Sequence, residues 1–125
     1  EQGRDLLREV ARLLEEGGVD LAILAGIGGL ERARIGIFVE GKYEPVELEA
    51  RGGAILELAP VLGNSVRGPD GKPRPHLHAV VSDGERTIAG HVLEGCIIKP
   101  FVELFVLEIP CTEELRSLFR HRWTD

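Results

Sequence analysis

The sequence predicts an α+β domain, with one amphipathic helix ahead of a series of strands joined by tight turns. Three observations carry that expectation. Sixteen glycines in 125 residues favour a turn-rich β or α+β fold. Residues 5–16 place Leu6, Leu7, Val10, Leu13 and Leu14 on one helical stripe, with charged side chains over the rest. Beyond residue 20, apolar and β-branched runs alternate with turn dipeptides such as Glu40-Gly41 and Asp83-Gly84.

Length and composition set the outer limits. A chain of 125 residues is one domain, large enough to bury about two-thirds of its unfolded surface. With 43% hydrophobic and 29% charged residues it reads as soluble and globular, and no apolar run reaches the length of a membrane span. The sequence starts with neither a signal peptide nor an initiator Met, which leaves open a trimmed start. Cys96 and Cys111 lack CxxC spacing and lie in or beside apolar segments, so buried free thiols in a cytoplasmic protein are expected rather than a disulfide. The net charge of −6 argues against strong DNA binding by the chain as a whole, because phosphate backbones select basic surfaces. The absence of Met and the abundance of Arg and Glu match a protein that works hot, and a melting midpoint above the mesophile range is the corresponding expectation.

Taken in order, the helix over 5–16 ends at Gly17-Gly18. Residues 21–25 follow as a short, wholly apolar strand buried on both faces. Gly26-Ile27-Gly28-Gly29 has the opening of a phosphate cradle, but a strand-like run follows where such a site needs a helix, so a tight strand-to-strand turn is expected instead. Residues 33–39 and 42–48 form a hairpin around Glu40-Gly41, with Pro45 marking an edge or bulge. Residues 51–58 make another strand, and 60–75 a long loop. Its Arg67, Lys72 and Arg74 form the basic cluster outside the tail, and 71–75 resembles a minor-groove hook peptide, although an ordinary turn is the preferred reading. Residues 93–98 and 101–109 are the last strands. Glu103 shares parity with Phe101, Phe105 and Leu107, so an inward carboxylate is expected there. Residues 112–122 form a short C-terminal helix, acidic at its start and basic at its end. Its Arg116, Arg120, His121 and Arg122, with Trp123, suit a solvated helix end or a subunit contact better than nucleic acid.

The chemistry concentrates at residues 75–91, which hold three of the four histidines. His76 and His78 are two apart and share a strand face. A two-residue loop of Asp83 and Gly84 sets His76 opposite His91, while a four-residue loop sets His78 there instead. The three imidazoles share a face in both cases, and only an odd loop turns His91 away. Three converging imidazoles suit zinc or another late first-row metal and leave one position open for water or a ligand. The competing reading is a set of half-buried histidines satisfied by neighbouring carbonyls. Gly90, before His91, fits a close approach of backbone or ligand.

Five stretches together resemble the PPC (plants and prokaryotes conserved) domain family. They are Gly3-Arg4-Asp5-Leu6-Leu7, Gly26-Ile27-Gly28, Arg34-Ile35-Gly36-Ile37-Phe38, Pro75-His76-Leu77-His78, and Ala89-Gly90-His91-Val92-Leu93-Glu94-Gly95-Cys96. The resemblance runs over nearly the whole chain, and its most specific part is the HLH…GH-x-LEGC pattern. It implies an α+β fold with a strongly curved, barrel-like antiparallel sheet, a packed N-terminal helix, a homotrimer and, by the family label, DNA association. Plant members carry separate DNA-binding AT-hooks, and this chain has no convincing one. The implied fold is also similar to that of acetolactate decarboxylase, which holds zinc through three histidines; carried over, the ligands are His76, His78 and His91. Two departures stand out: the strand that usually precedes Gly3 is absent from the numbered chain, and the usual Gly-Gly-His is Ala89-Gly90-His91.

The leading expectation is thus a small homotrimeric metal protein whose Zn2+ site is open to a small ligand, with Glu94 or Glu103 as outer partner or proton carrier. Metal-dependent chemistry on a carbonyl or carboxylate compound is compatible with such a site. A DNA-associated regulatory module, using Arg67, Lys72 and Arg74, is the alternative. No serine or cysteine nucleophile constellation supports covalent catalysis.

Overall fold

A computed structural model describes residues 1–123. It contains α1 (Leu6–Glu16), six strands, β1 (Leu21–Val39), β2 (Lys42–Glu49), β3 (Leu56–Arg67), β4 (Pro73–Ser82), β5 (Thr87–Val92) and β6 (Ile97–Glu108), then α2 (Glu113–Ser117) and a 3-10 turn (Arg120–Arg122). The expected α+β class holds.

α1 begins where the sequence places it. The Asp5 carboxylate accepts from the Arg8 backbone N–H at 3.0 Å, satisfying a helix-end donor, and its other oxygen accepts from Gly95 N at 2.6 Å. Leu6, Val10 and Leu14 are buried, while Leu13, at the stripe's edge, is exposed. The buried stripe packs against β4.

The sheet is organised around β1. Arg32 pairs with Glu49 of β2 and Ile97 of β6, and Gly36 pairs with Pro45 of β2 and His91 of β5. A residue has one partner per edge, so β2 lies along one edge of β1 and β5 and β6 along the other. β3 and β6 both pair with the stretch around Leu24, so β3 shares the edge of β2. β4 bridges β3 and β5, and the sheet curls until β5 meets β1 at Ile35–Val92 and Gly36–His91. It is strongly curved without closing into a complete barrel. Register shifts between Gly26 and Gly28 in β1 and between Leu58 and Val61 in β3 supply bends.

Four expectations about segment boundaries are corrected. The predicted turn over residues 26–29 is continuous β1. Its glycines meet the backbone of β6, and a Cβ on Gly26 would lie 2.5 Å from the Glu103 carbonyl oxygen. The strand over 21–25 is therefore the start of a 19-residue strand, and Ile23 on it is exposed. The long loop over 60–75 shrinks to residues 68–72, because Pro60 sits at the β3 bulge and both flanks pair as strands. Residues 93–96 are a turn, with Gly95 at φ 113, so the expected strand over 93–98 is replaced by the start of β6 at Ile97.

The core lies between α1 and the sheet, built from Leu6, Val10, Leu14, Leu24, Leu30, Ile35, Leu56, Leu77 and Val81 among others. Cys96 is fully buried and Cys111 half-buried, both as free thiols. No helix among the described residues is long and apolar enough to cross a membrane.

Candidate metal centre

The histidines reach one place through alternation and one register. On β4, Leu77, Ala79 and Val81 point into the core, so His76 and His78 face the other side. The β4–β5 loop is four residues long, with Ser82 paired to Thr87, and this sets His78 directly opposite His91. The two-residue loop, with His76 opposite His91, is corrected. Asp83 is the reason: its carboxylate accepts from Glu85 N at 2.9 Å and Arg86 N at 2.7 Å, and the Ser82 hydroxyl accepts from Gly84 N at 3.0 Å. These side-chain bonds hold a wider loop than Asp83-Gly84 alone. The shift is by two residues, so the faces are kept.

Ring centroids are 5.1 Å apart for His76–His78 and His76–His91, and 5.4 Å for His78–His91. One potential ligand nitrogen from each ring lies within 4.8 Å of the others. Ring rotation can close that spread to metal–nitrogen bonds of about 2.1 Å. Burial, then the Arg122 cation, then the neighbouring imidazoles hold His76 down at about 4. Burial, followed by His78, also lowers His91. Neutral imidazoles keep a lone pair for a metal. His91 Nδ1 is buried without a hydrogen-bond partner. The donor set and this orphaned nitrogen fit a divalent transition metal.

Two further elements shape the place. Gly36 of β1 has no side chain, and the ring of Tyr43 lies across it to stack on His91, with centroids 4.5 Å apart and planes 17° from parallel. Gly90 lets β5 approach β1, since a Cβ there would lie 2.6 Å from the Gly36 carbonyl oxygen. From the C-terminal 3-10 turn, Arg122 donates to the Arg74 carbonyl at 3.1 Å and to Asn64 Oδ1, and its Nη2 faces His76 Nδ1 at 3.4 Å. Burial lowers its pKa from the ordinary arginine value. Tyr43, Arg74, Pro75, His76, His91 and Arg122 line a cleft of about 320 Å³. Neither Tyr43 nor Asn64 stood out in the sequence, and Arg122 stood out only as part of a basic tail.

Of the other predicted site residues, Arg74 lines this cleft and the rest sit elsewhere. Glu94 lies in the turn before β6 and pairs with Arg8 at 3.1 Å. Glu103 pairs across the sheet with Ile27 and is exposed, like Phe101, Phe105 and Leu107. The expectation of an inward carboxylate is corrected: Val102 and Leu104 take the core-facing parity on β6. Arg67 bonds Asp20 at 2.6 Å and the Gly71 carbonyl. Arg74 pairs with Asp70 at 3.5 Å and lies over the Trp123 ring. Lys72 occupies the turn between them, its backbone N–H donating to Asp70 at 3.1 Å.

A curved antiparallel sheet with one packed helix and a three-histidine cluster on its outer face defines the class of protein. The Plants and Prokaryotes Conserved domain matches residues 1–110, and the chain belongs to that family. Among solved structures, it is similar to a plant- and prokaryote-conserved protein from Pyrococcus horikoshii, with 29% identity, a TM-score of 0.77, and coverage of 90% of this chain and 76% of that one. A metal-containing protein from Archaeoglobus fulgidus matches with 29% identity and a TM-score of 0.73, over 86% of this chain and 74% of that one. A protein from Ralstonia eutropha JMP134, named as a candidate DNA-binding protein, has 22% identity and a TM-score of 0.76 over 93% of this chain and 83% of that one; at that identity the likeness shows the fold alone. No curated protein matches the chain.

Proposed function

We propose that the protein is a small metal-binding member of this family, in which His76, His78 and His91 hold a divalent transition metal, zinc first, with a coordination position open to a small ligand. The observation that carries the reading is the convergence of three imidazole nitrogens within 4.8 Å on one face of one hairpin. The metal content of the Archaeoglobus fulgidus relative adds support. A bound metal would supply Lewis-acid polarisation of an oxygen ligand or a more acidic bound water. This chain's residues would do the rest. The imidazoles bind, and Tyr43 fixes the His91 ring by stacking. Glu94, held by Arg8, and Glu103, on the outer face of β6, stay outside that centre.

The homotrimer belongs to the same proposal. Ile23, Ile27, Phe101, Phe105 and Leu107 are exposed on β1 and β6, and cross-strand pairing puts Ile23 beside Leu107. An apolar surface of that kind suits contact with further copies of the chain.

Metal content by mass spectrometry tests the reading, on protein purified without chelator and beside His76→Ala and His91→Ala. About one metal per chain is expected in the parent, with affinity down by roughly 100-fold or more in each variant. Metal absent from the parent, or bound equally by the variants, overturns it. The second reading, a DNA-associated module, draws on Arg67, Lys72 and Arg74 around one turn and on the name of the Ralstonia eutropha neighbour. Against it stand the net charge of −6 and the ion pairs of Arg67 and Arg74. Binding to duplex DNA that weakens steeply with salt would favour it.

A further inference from the structure

Among the described residues, the cleft beside the histidines carries a cation without an anion. Arg122 Nη1 donates to the Arg74 carbonyl, and Nη2 donates to Asn64 Oδ1 and faces His76 Nδ1. All three acceptors are neutral, and Arg122 Nε is buried with no hydrogen-bond partner. Among the described residues no carboxylate lies within ion-pair reach of Arg122. A half-buried charge in that state costs free energy that an anion recovers. Each guanidinium at the cleft lies over a ring, Arg122 over Phe119 and Arg74 over Trp123, but Arg74 already pairs with Asp70.

Metal binding and the Arg122 contact compete for His76. A guanidinium can only donate, so the 3.4 Å contact uses the Nδ1 lone pair and leaves the ring proton on Nε2. A metal at Nδ1 takes that lone pair directly. A metal at Nε2 shifts the proton to Nδ1, which then opposes the Arg122 donor. Either way, loading the histidines releases the Nη2 contact with His76, leaving that nitrogen bonded to Asn64, and adds positive charge beside it. The cleft, at about 320 Å³, is in the size range of small-ligand sites. The flat Tyr43–His91 stack forms part of its lining.

We propose that this cleft binds a small carboxylate, with Arg122 as its anion anchor and a second oxygen of the same molecule facing the histidine centre. The planar guanidinium fork matches a carboxylate in shape and charge. The metal-side contact rests on the three-histidine reading, whereas the anchoring by Arg122 stands on its own.

Isothermal titration tests it, with lactate as the probe because it offers both a carboxylate and a hydroxyl oxygen. Lactate and inorganic phosphate are titrated separately into zinc-loaded wild type, Arg122→Gln and Arg122→Lys, with zinc content and melting midpoint measured on each. Lactate is expected to bind the wild type and to weaken about tenfold or more in Arg122→Gln, with part recovered in Arg122→Lys and zinc unchanged. Equal lactate affinity in wild type and Arg122→Gln overturns the proposal. So does the absence of lactate binding to zinc-loaded wild type, or binding of phosphate alone. Zinc missing from the wild type would sink the metal reading by itself. The anchor is then judged on the metal-free protein, where lactate binding lost in Arg122→Gln supports it and no binding overturns it.

Discussion

In the β1–β2 hairpin, Val39 and Lys42 close a two-residue loop, with Glu40 at φ 48 and Gly41 at φ 84. In the β4–β5 hairpin, Ser82 and Thr87 close a four-residue loop in which only Gly84 has a positive φ. Asp83-Gly84 is the stronger two-residue turn signal by composition, yet Glu40-Gly41 makes the tighter turn. Asp83 explains the reversal, because its carboxylate collects the N–H groups of Glu85 and Arg86. The two hairpins also meet: Tyr43 of the first stacks on His91 of the second. The register of β4 against β5 sets His78 opposite His91, while strand alternation had already put all three on one face.

The sharpest way to break that meeting is Gly90→Val. Its Cβ would sit 2.6 Å from the Gly36 carbonyl, where β5 returns to β1. A loss of about 1–3 kcal/mol in denaturant unfolding is expected, with weakened metal binding. Unchanged stability would mean that β5 does not depend on this contact.

A smaller effect separates the hairpins by pH. In the fold, burial and the Arg122 cation hold His76 at about 4, against 6.5 for the free side chain. The unfolded chain therefore takes up a proton first on acidification. The stability this gives is full above about pH 6.5 and is lost as the pH falls toward 4. In chelator-treated protein the melting midpoint should drop over that window, and His76→Asn should flatten the drop. An identical drop in the variant would assign it to other groups. Asp83 in the loop behaves in the same direction at lower pH: backbone N–H groups lower its pKa, so its contribution is lost as the carboxylate protonates.

The smallest expected change comes from deleting Glu85 and Arg86. Ser82 and Thr87 then close on Asp83-Gly84, the loop length of the first hairpin. β4 is already paired with β3, and β5 with β1, so the register and metal content should survive. Metal loss in the deletion would show that the loop, not the sheet, sets His78 against His91.

Much of this was legible in local sequence. The helix followed from a 3.6-residue stripe, and the Glu40-Gly41 hairpin from its turn residues; the Asp5 cap emerged only in the structure. The shared face of His76, His78 and His91 needed only parity. The misread segments share one cause. Gly26-Ile27-Gly28-Gly29, Pro60 and Glu103 carry local signals for turn, loop and inward carboxylate, but neighbouring strands decided each. Glycines can break a strand or let another strand press close, and the presence of β6 selected the second. Glu103 has the parity of three large apolar side chains, and those side chains face outward on the sheet.

The sequence by itself determined the α+β class, the start and end of the first helix, and the one face shared by the three histidines, because these depend on periodicity and on capping within a few residues. Only the tertiary structure decided that β1 is one 19-residue spine with partners on both edges, and that His78 is the residue opposite His91. It alone brought Tyr43 and Arg122 to the histidines, 48 residues before His91 and 46 after His76. Contacts across such distances arise from sheet curvature and strand register, and no pattern along the chain records which distant side chain a curled sheet will meet.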